Sequence, residues 1–325
     1  MTIPASRATQ PEWIDPTAAD REAIEHLVAA LRHADGVSAW SEPALLDLAT
    51  PTGHGRHLVA RGDDGALAAW AHVDVGEPDD VVVEVGVAPG TRRHGVATAL
   101  ARTLLADPAI RPGHARVWAH GDRPGAAELA GALGLARDRE LWMMRRPAGA
   151  DPLPPPGDVE GVTVGTLRVG MDEPDVVAVN ARAFAWHPEQ GAMTVDDVRR
   201  REQEPWFDAE GFLLARDAEG ALLGFHWTKV HPDGARDGGP VGEVYVVGVD
   251  PDAQGRGLGG ALTLAGLHHL AGRGLDEVIL YVEADNAPAV ATYRRLGFEV
   301  DAVDVSFGLR EDTSAPSAGD DDGGR

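Results

Sequence analysis

A cluster of glycines, placed between a strand-like apolar segment and a periodic apolar segment, is the first candidate for chemistry in this chain. It lies within "VYVVGVDPDAQGRGLGGALTLAGLHHL" in the second half of the sequence. Gly255, Gly257 and Gly260 have the G-x-G-x-x-G spacing of a dinucleotide-binding turn. The cluster also contains a second pattern, Gln254-x-x-Gly257-x-Gly259. Both patterns bring backbone N–H groups to an anion at a helix N-terminus, so the turn is predicted to bind a pyrophosphate.

A weak internal repeat relates the two halves of the chain. "HLVARGDDGALAAWAHV" matches "FLLARDAEGALLGFHWTKV", and "EVGVAPGTRRHGVATALARTLL" matches "VVGVDPDAQGRGLGGALTLAGL". Farther along, "VWAHGDRPGAAELAGALGLA" matches "LYVEADNAPAVATYRRLGFE" in the same order. The repeat predicts two duplicated α/β domains, each with antiparallel strands, a further strand, a helix, another strand and a final helix.

A segment rich in proline and glycine, "RRPAGADPLPPPGDVEG", separates the two halves and is typical of an extended linker. We therefore predict an N-terminal domain over residues 1–147, a linker over 148–160 and a C-terminal domain over 161–312. The acidic tail over 313–325 has little apolar surface to offset the entropy of ordering, and it is predicted to be disordered.

The repeat distinguishes between the two patterns of the glycine turn. The first-half equivalent, "PGTRRHGVAT", keeps Arg92-x-x-Gly95-x-Ala97 but has lost the G-x-G-x-x-G spacing. A dinucleotide turn also places its first glycine directly at the strand end, whereas Asp250–Gln254 intervenes here. The Q/R-x-x-G-x-G/A turn and the later "YRRLGFE" resemble the acyl-CoA-dependent N-acetyltransferases of the GNAT family. This resemblance implies a GNAT fold with a mixed α/β sheet in each half and coenzyme A as the ligand.

The resemblance also implies how acetyl-CoA, the acetyl donor, is held. Main-chain N–H groups of the turn and of a helix starting near Leu258 would bind the pyrophosphate, with side-chain donors at the rim. The preceding strand would bulge and pair with pantetheine; Gly248 suits a bulge or a close backbone approach, or is a plain strand glycine. Asn286 would cap the last helix and contact coenzyme A. The predicted cofactor residues are Val247, Gly248, Val249, Gln254, Gly255, Arg256, Gly257, Leu258, Gly259, Gly260 and Asn286, with Val85, Gly86 and Val87 in the first half.

Acetyl transfer from a thioester to an amine needs a base for the ammonium group and an acid for the departing thiolate. Glu243, early in the strand "EVYVVGV", is the candidate base, and Tyr293 on the last helix is the candidate acid. GNAT enzymes use a Glu and a Tyr in these places, which the resemblance carries over. The chain has no cysteine, so direct attack in a ternary complex is predicted. The first-half equivalents are Val81 and Ala130, which predicts a catalytic second domain and a non-catalytic first domain.

The first domain is nevertheless predicted to keep part of the machinery. Its equivalent of Asn286 is Arg123, and its degraded turn could still bind coenzyme A. Glu84 and His120 are the ionisable residues through which it could retain activity.

The run "NARAFAWHPEQGAMTVDDVRRREQEPWFD", with "GFHWTKVH", "GEVYVVGVDP" and "LYVEADN", closely resembles the mycothiol synthases, a family of tandem GNAT enzymes of actinobacteria. This resemblance implies acetylation of the cysteinyl amine of cysteinyl-glucosaminyl-inositol to form mycothiol. Polar side chains on loops and near the candidate base suit a polyhydroxylated amine, and the loop "HPDGARDGGP" could alter the acceptor pocket. The predicted substrate residues are Glu42 from the first half, and Glu189, Gln190, Lys229, Glu243 and Tyr281 from the second.

Charge and composition narrow the function classes further. The net charge of −23 argues against nucleic acid and anionic membranes as partners. No segment has the length and apolarity of a membrane span or the pattern of a signal peptide, so a cytoplasmic protein, most simply a monomer, is predicted. No H-E-x-x-H or Cys/His spacing occurs, so no metal is predicted. Two alternatives stay open: a GNAT enzyme for another small amine (an aminoglycoside, a polyamine or a protein N-terminus), and a non-catalytic acyl-CoA-binding sensor.

Overall fold

The chain forms two α/β units, each built on one mixed β-sheet. The computed structural model describes residues 10–77, 80–155, 157, 159–186, 188–232, 234 and 238–309. Unit 1 contains Met1–Arg139 and Asp304–Arg325, and unit 2 contains Glu140–Val303. The predicted α/β class is confirmed, whereas the predicted disordered tail lies outside the described residues.

Unit 1 is a six-stranded sheet in the order β1-β2-β3-β4-β5-β12. Its strands are β1 (Glu12–Ile14), β2 (Gly55–Arg61), β3 (Leu67–Glu77), β4 (Asp80–Val87), β5 (Ala115–Ala119) and the end of β12 (Glu299–Leu309). Strands β1 to β4 pair antiparallel with one another, and β5 pairs parallel with β4. Its helices are α1 (Ala18–Asp35), α2 (Glu42–Ala49), α3 (Val96–Leu105) and α4 (Pro124–Ala132).

Unit 2 repeats this arrangement in the order β7-β8-β9-β10-β11-β6. Its strands are β6 (Leu135–Arg146), β7 (Thr163–Thr166), β8 (Phe212–Arg216), β9 (Leu222–His231), β10 (Val241–Val249) and β11 (Val278–Glu283). Its helices are α5 (Glu173–Ala183), α6 (Pro188–Gly191), α7 (Val195–Arg201), α8 (Leu258–Gly272) and α9 (Ala287–Arg295). The strand, helix, strand and helix order that the repeat predicts is present, and each unit has a sixth strand besides.

That sixth strand comes from the other half of the sequence. In unit 2, the end of β6 pairs antiparallel with β11, and in unit 1 the end of β12 pairs antiparallel with β5. The units therefore change at 139/140 and 303/304, whereas we predicted domains over 1–147 and 161–312. The difference arises because a sequence repeat marks the duplicated segments, and strand pairing decides which segments share a sheet.

The start of the predicted linker packs on unit 2. Leu153 lies against the apolar cluster that contains Leu267 and Leu280, and the carbonyl oxygen of Pro154 accepts a hydrogen bond from His268 Nε2 at 2.8 Å. Because these contacts order the chain, this part of the segment is anchored to unit 2. The predicted linker also includes residues 156 and 158, which lie outside the described residues.

A buried histidine fixes helix α8 on the sheet of unit 2. His226 on β9 is fully buried, and its Nδ1 donates to the carbonyl oxygen of Leu262 at 2.8 Å. Burial lowers the pKa of the His226 imidazole to about 4, so the ring packs in its neutral form. A Cβ at Gly266 would lie 2.0 Å from the ring, so only glycine admits this contact. The start of α8 is thereby held against the strands that carry the candidate site.

Candidate active site

Strands β10 and β11 of unit 2 separate partway along their length. β10 pairs with β9 from Val241 to Val249, but its parallel pairing with β11 covers only Gly242, Glu243 and Val244. The register with β9 shifts by one residue between Val244 and Val246, which makes Tyr245 the extra residue of a β-bulge. Beyond the bulge, no strand of the described chain pairs with the β11-facing edge of β10. That edge offers main-chain donors and acceptors to an extended ligand.

The three predicted pantetheine residues lie on this open edge. Val247, Gly248 and Val249 pair with β9 on the other side of the strand. The bulge is at Tyr245, not at Gly248 as its glycine suggested. A Cβ at Gly248 would lie 2.6 Å from the Phe225 ring, so glycine is required there by the close approach of that ring.

The glycine turn joins the open edge to helix α8. Gly255 and Gly257 have positive φ angles of 78° and 80°, which favour glycine, and a Cβ at either would meet open space. Gly257 is the N-cap of α8 and provides no side-chain cap, so the first N–H groups of the helix, at Leu258, Gly259 and Gly260, keep their capacity for a ligand. The helix begins at Leu258 as predicted. The turn has the open space and the donors that a pyrophosphate requires.

The two polar side chains of the turn contact the protein's own backbone. Gln254 Nε2 donates to the carbonyl oxygen of Val249 at 3.3 Å, and Arg256 Nη2 donates to that of Glu160 at 2.9 Å. These bonds fix the shape of the turn and leave each side chain with further N–H groups. Gln254 and Arg256 therefore have a structural role besides the donor role that is predicted for them.

Glu243 is a buried carboxylate with an imidazole partner. The residue is 5% exposed, and its Oε2 lies 2.6 Å from Nε2 of His231 at the end of β9. His231 is not among the site residues predicted from the sequence. The available signal was its position two residues after Lys229, because residues i and i+2 of a strand share a face.

Lys229, the only lysine of the chain, lies directly opposite Glu243 on β9 and is 4% exposed. Its Nζ lies 4.5 Å from the ring centroid of Trp206 and 5.0 Å from that of Tyr245, within cation–π range. Arg201 Nε donates to the Tyr245 hydroxyl at 2.9 Å. The bulged tyrosine therefore forms one wall of an aromatic enclosure around the ammonium group.

Helix α9 carries the remaining candidates of unit 2. Asn286 is its N-cap, and the side-chain oxygen accepts from the Ala289 N–H at 3.3 Å. Tyr293 is half-buried, packs edge-on against Phe298, and has no hydroxyl hydrogen bond among the described residues. Burial raises the pKa of the Tyr293 hydroxyl to about 12, so it remains protonated at neutral pH, as a proton donor must. Tyr281 is 47% exposed on β11.

Unit 1 has a cleft at the equivalent strand edge, without the candidate base and acid of unit 2. A cavity of about 700 Å³ there is lined by Val85, Gly86 and Val87, which lie past the end of the β4–β5 pairing. Arg92 Nε donates to the Val87 carbonyl oxygen at 3.0 Å, as Gln254 does to its own strand in unit 2. The Arg92 guanidinium also binds Asp35 and lowers the pKa of that carboxyl.

The two ionisable residues noted in the first half belong to a closed network. His120 Nε2 lies 2.9 Å from Glu84 Oε1, and its Nδ1 lies 2.8 Å from Asp304 Oδ2. The Ser41 N–H and hydroxyl each donate to Glu84 at 3.0 Å. With both ring nitrogens and both carboxylate oxygens occupied, neither residue is free to act as a base.

Three further predicted substrate residues lie on helices. Glu42 is the first residue of α2 in unit 1. Glu189 lies in α6 of unit 2, but its side chain is outside the described part of the chain, as is much of the loop 233–237. Gln190 Nε2 donates to Asn180 Oδ1 at 3.1 Å.

No group of three or more His, Asp and Glu side chains suited to a metal ion occurs among the described residues. Within the same part of the chain, no helix is both long and apolar enough to cross a bilayer.

Comparison with known proteins gives consistent similarities. Residues 178–298 match the Acetyltransferase (GNAT) family model. The chain is 53% identical over 298 residues to a mycothiol acetyltransferase of Actinosynnema mirum, covering 91% of this chain and 97% of the relative. It is 52% identical over 305 residues to that of Thermobifida fusca, covering 88% and 93%.

Solved structures give the same fold. A GCN5-related N-acetyltransferase from Sphaerobacter thermophilus superposes with a TM-score of 0.68 at 27% identity, covering 93% of this chain and 96% of the other. A tandem GNAT protein from the clavulanic acid biosynthesis pathway superposes with a TM-score of 0.66 at 20% identity, covering 91% and 97%.

Proposed function

Because this chain belongs to the mycothiol acetyltransferases, a family of GNAT enzymes, we propose that it acetylates the cysteinyl amine of cysteinyl-glucosaminyl-inositol with acetyl-CoA. The acceptor is inferred from the relatives. The observation that supports the chemistry is the order of features on one continuous segment, from Glu243 to Gly260. A buried carboxylate, an open strand edge and a helix-terminal glycine turn follow one another there.

Unit 2 would hold the acetyl donor through its main chain. The N–H groups from Gly255 to Gly260 would bind the pyrophosphate, and Val247, Gly248 and Val249 would hydrogen-bond the pantetheine arm along the open edge. Asn286 would contribute its side-chain amide N–H groups while its oxygen caps α9. Because most of these donors belong to the backbone, the acidic net charge of the chain does not oppose anion binding.

Glu243 and Tyr293 would carry the proton transfers. Glu243 would take a proton from the acceptor ammonium and leave a neutral amine, which attacks the thioester carbonyl directly. The new N–C bond forms as the C–S bond breaks, and the Tyr293 hydroxyl would supply a proton to the departing thiolate. The second proton of the attacking nitrogen would leave as the amide forms and restore the Tyr293 hydroxyl. A tyrosine that is protonated at neutral pH suits this role.

The acceptor would be bound around the same carboxylate. Lys229 lies opposite Glu243, and the exposed Tyr281 follows the β11 residues that pair with β10. These side chains would hydrogen-bond the sugar and inositol hydroxyls. The aromatic enclosure would restrict the Lys229 ammonium to few positions, which lowers the entropy cost of a specific contact.

Unit 1 would bind a second acetyl-CoA without turning it over. Its cavity is lined by Val85, Gly86 and Val87. By strand register the position of Glu243 is taken in unit 1 by Val82, one residue from the predicted Val81, because the bulge at Tyr245 adds a residue to β10. The repeat aligns Tyr293 with the buried Ala130.

The test is steady-state thiol release from acetyl-CoA with cysteinyl-glucosaminyl-inositol as acceptor. We expect turnover by the wild type and a fall in kcat of about 100-fold or more for Glu243→Gln. Glu210→Gln, an exposed change in unit 2, and Glu84→Gln in unit 1 should keep the rate per folded molecule. Absence of turnover while acetyl-CoA still binds would refute this acceptor and lead to a screen of other amines. Inactivity with every amine would instead indicate an acyl-CoA sensor.

A further inference from the structure

His231 is coupled to the candidate base on the same face of the sheet. It follows Lys229 by two residues on β9, and Lys229 is the direct cross-strand partner of Glu243. The imidazole Nε2 lies 2.6 Å from Glu243 Oε2. The carboxylate side chain is 7% exposed and the imidazole side chain is 32% exposed. The pair therefore extends from a buried oxygen to a ring that reaches solvent.

A buried base must release, in every turnover, the proton that it removes from the substrate. With the acceptor bound, Glu243 has little direct access to water, and His231 is the partner with exposed surface. We propose that His231 is the positioning residue of Glu243 and conducts its proton to solvent, an inference that rests on the proposed role of Glu243 as base.

The proton moves in three steps from the acceptor ammonium to solvent. Glu243 accepts a proton from the acceptor ammonium, which leaves a neutral amine and a carboxylic acid. The acid passes this proton to Nε2 of the neutral His231 ring that carries its hydrogen on Nδ1, which restores the carboxylate and forms an imidazolium. The imidazolium releases its Nδ1 proton to water, and tautomerisation of the neutral ring through solvent returns the hydrogen to Nδ1 for the next turnover. No oxidant, metal or further co-reactant is needed.

The neighbouring elements contribute both charged and neutral groups around the pair. Lys229 on β9 is the direct cross-strand partner of Glu243. From α7, Arg201 bonds the Tyr245 hydroxyl, and on β11 the residue paired with Glu243 is the neutral Ile279. On the α8 side, Leu270 contacts Gly242 and brings no charge.

The first test compares His231→Gln with His268→Gln, the same change on α8 away from the pair. Glutamine can still donate a hydrogen bond to Glu243 but cannot carry a proton at neutral pH. We expect kcat to fall about 10- to 100-fold in His231→Gln, with the KM for acetyl-CoA within about twofold of wild type. The dependence of kcat on pH should also differ from that of the wild type, because this variant has no imidazole to accept the proton. His268→Gln should match wild type in all three quantities.

The second test uses His231→Ala, in which added imidazole should restore part of kcat in a concentration-dependent way. An unchanged kcat and pH profile in His231→Gln would overturn the proposal, as would a fall in His231→Ala that imidazole does not restore. If Glu243→Gln is inactive while both His231 variants are normal, only the proton path fails. An active Glu243→Gln would overturn the proposed base and the path together. If His231→Gln does not fold, the imidazole titration of His231→Ala decides.

Discussion

Replacement of His120 by leucine should destabilise unit 1 strongly. His120 lies between Glu84, which is 2% exposed, and Asp304, which is 8% exposed. Leucine removes the only cation of this network and leaves two carboxyl groups buried near one another. Breaking a buried pair in this way costs about 3–5 kcal/mol. We therefore expect the free energy of unfolding of unit 1 to fall by about that amount at pH 7.

The loss should depend on pH in a defined direction. Burial lowers the pKa of the His120 imidazole, but the hydrogen bonds to Asp304 and Glu84 outweigh it and raise the pKa from 6.5 to about 10. A raised pKa means that the folded state binds the proton more tightly than the unfolded state. The stabilisation is fully present below pH 6.5 and is lost as the pH rises through about 10. Wild type and His120→Leu should therefore converge in stability toward alkaline pH.

The assay is urea unfolding between pH 6.5 and pH 10, combined with hydrogen exchange of the amides in Asp304–Leu309. The exchange measurement reports on unit 1 even if the two units unfold separately. His33→Leu, on the exposed side of α1, is the control and should stay within about 0.5 kcal/mol of wild type. A His120→Leu variant within about 1 kcal/mol of wild type at pH 7, or a difference that does not shrink by pH 10, would refute the reasoning.

Three further predictions concern unit 2. Gly257→Ala should raise the KM for acetyl-CoA about tenfold, because a left-handed residue other than glycine costs about 1–2 kcal/mol at the turn. The control is Gly220→Ala, at a φ of 89° in the β8–β9 turn, which should lose similar stability at unchanged KM. Trp206→Leu removes one face of the aromatic enclosure around Lys229. In steady-state kinetics it should raise the KM for the acceptor several-fold and leave the KM for acetyl-CoA unchanged. Burial and the nearby carboxylate of Glu173 raise the pKa of Glu202. Glu202→Gln should therefore increase thermal stability more at pH 8 than at pH 5. An equal effect at the two pH values, or the opposite one, would contradict repulsion between Glu202 and Glu173.

Much of unit 2 could be predicted from local sequence patterns. The helix start at Leu258 follows from glycines ahead of an apolar-periodic segment, and α9 follows from Asn286 before an alanine and a proline. The order of strands and helices followed from the repeat. These features depend on a few neighbouring residues, so the sequence carries them directly.

Long-range pairing could not be predicted in the same way. The exchange of the ends of β6 and β12 depends on which strand edge each segment meets, and no periodicity encodes that choice. His231 escaped notice for the same reason, since its proximity to Glu243 depends on the register of β9 with β10. Its place two residues after Lys229 puts it on the same face of the strand as that lysine, but this spacing does not tell which residue of the neighbouring strand it meets.

The two units differ in register more than in fold. β4 and β10 each leave their parallel neighbour after a few residues, so the open edge belongs to the fold itself. In unit 1 the register of β4 with β3 is continuous from Asp74 to Ala69, whereas in unit 2 Tyr245 interrupts it. The extra residue displaces the paired strand by one position and brings a tyrosine ring to Lys229. A duplicated fold can thus keep two clefts while a single bulge, with the side chains around it, equips only one of them with the enclosed lysine beside a buried carboxylate.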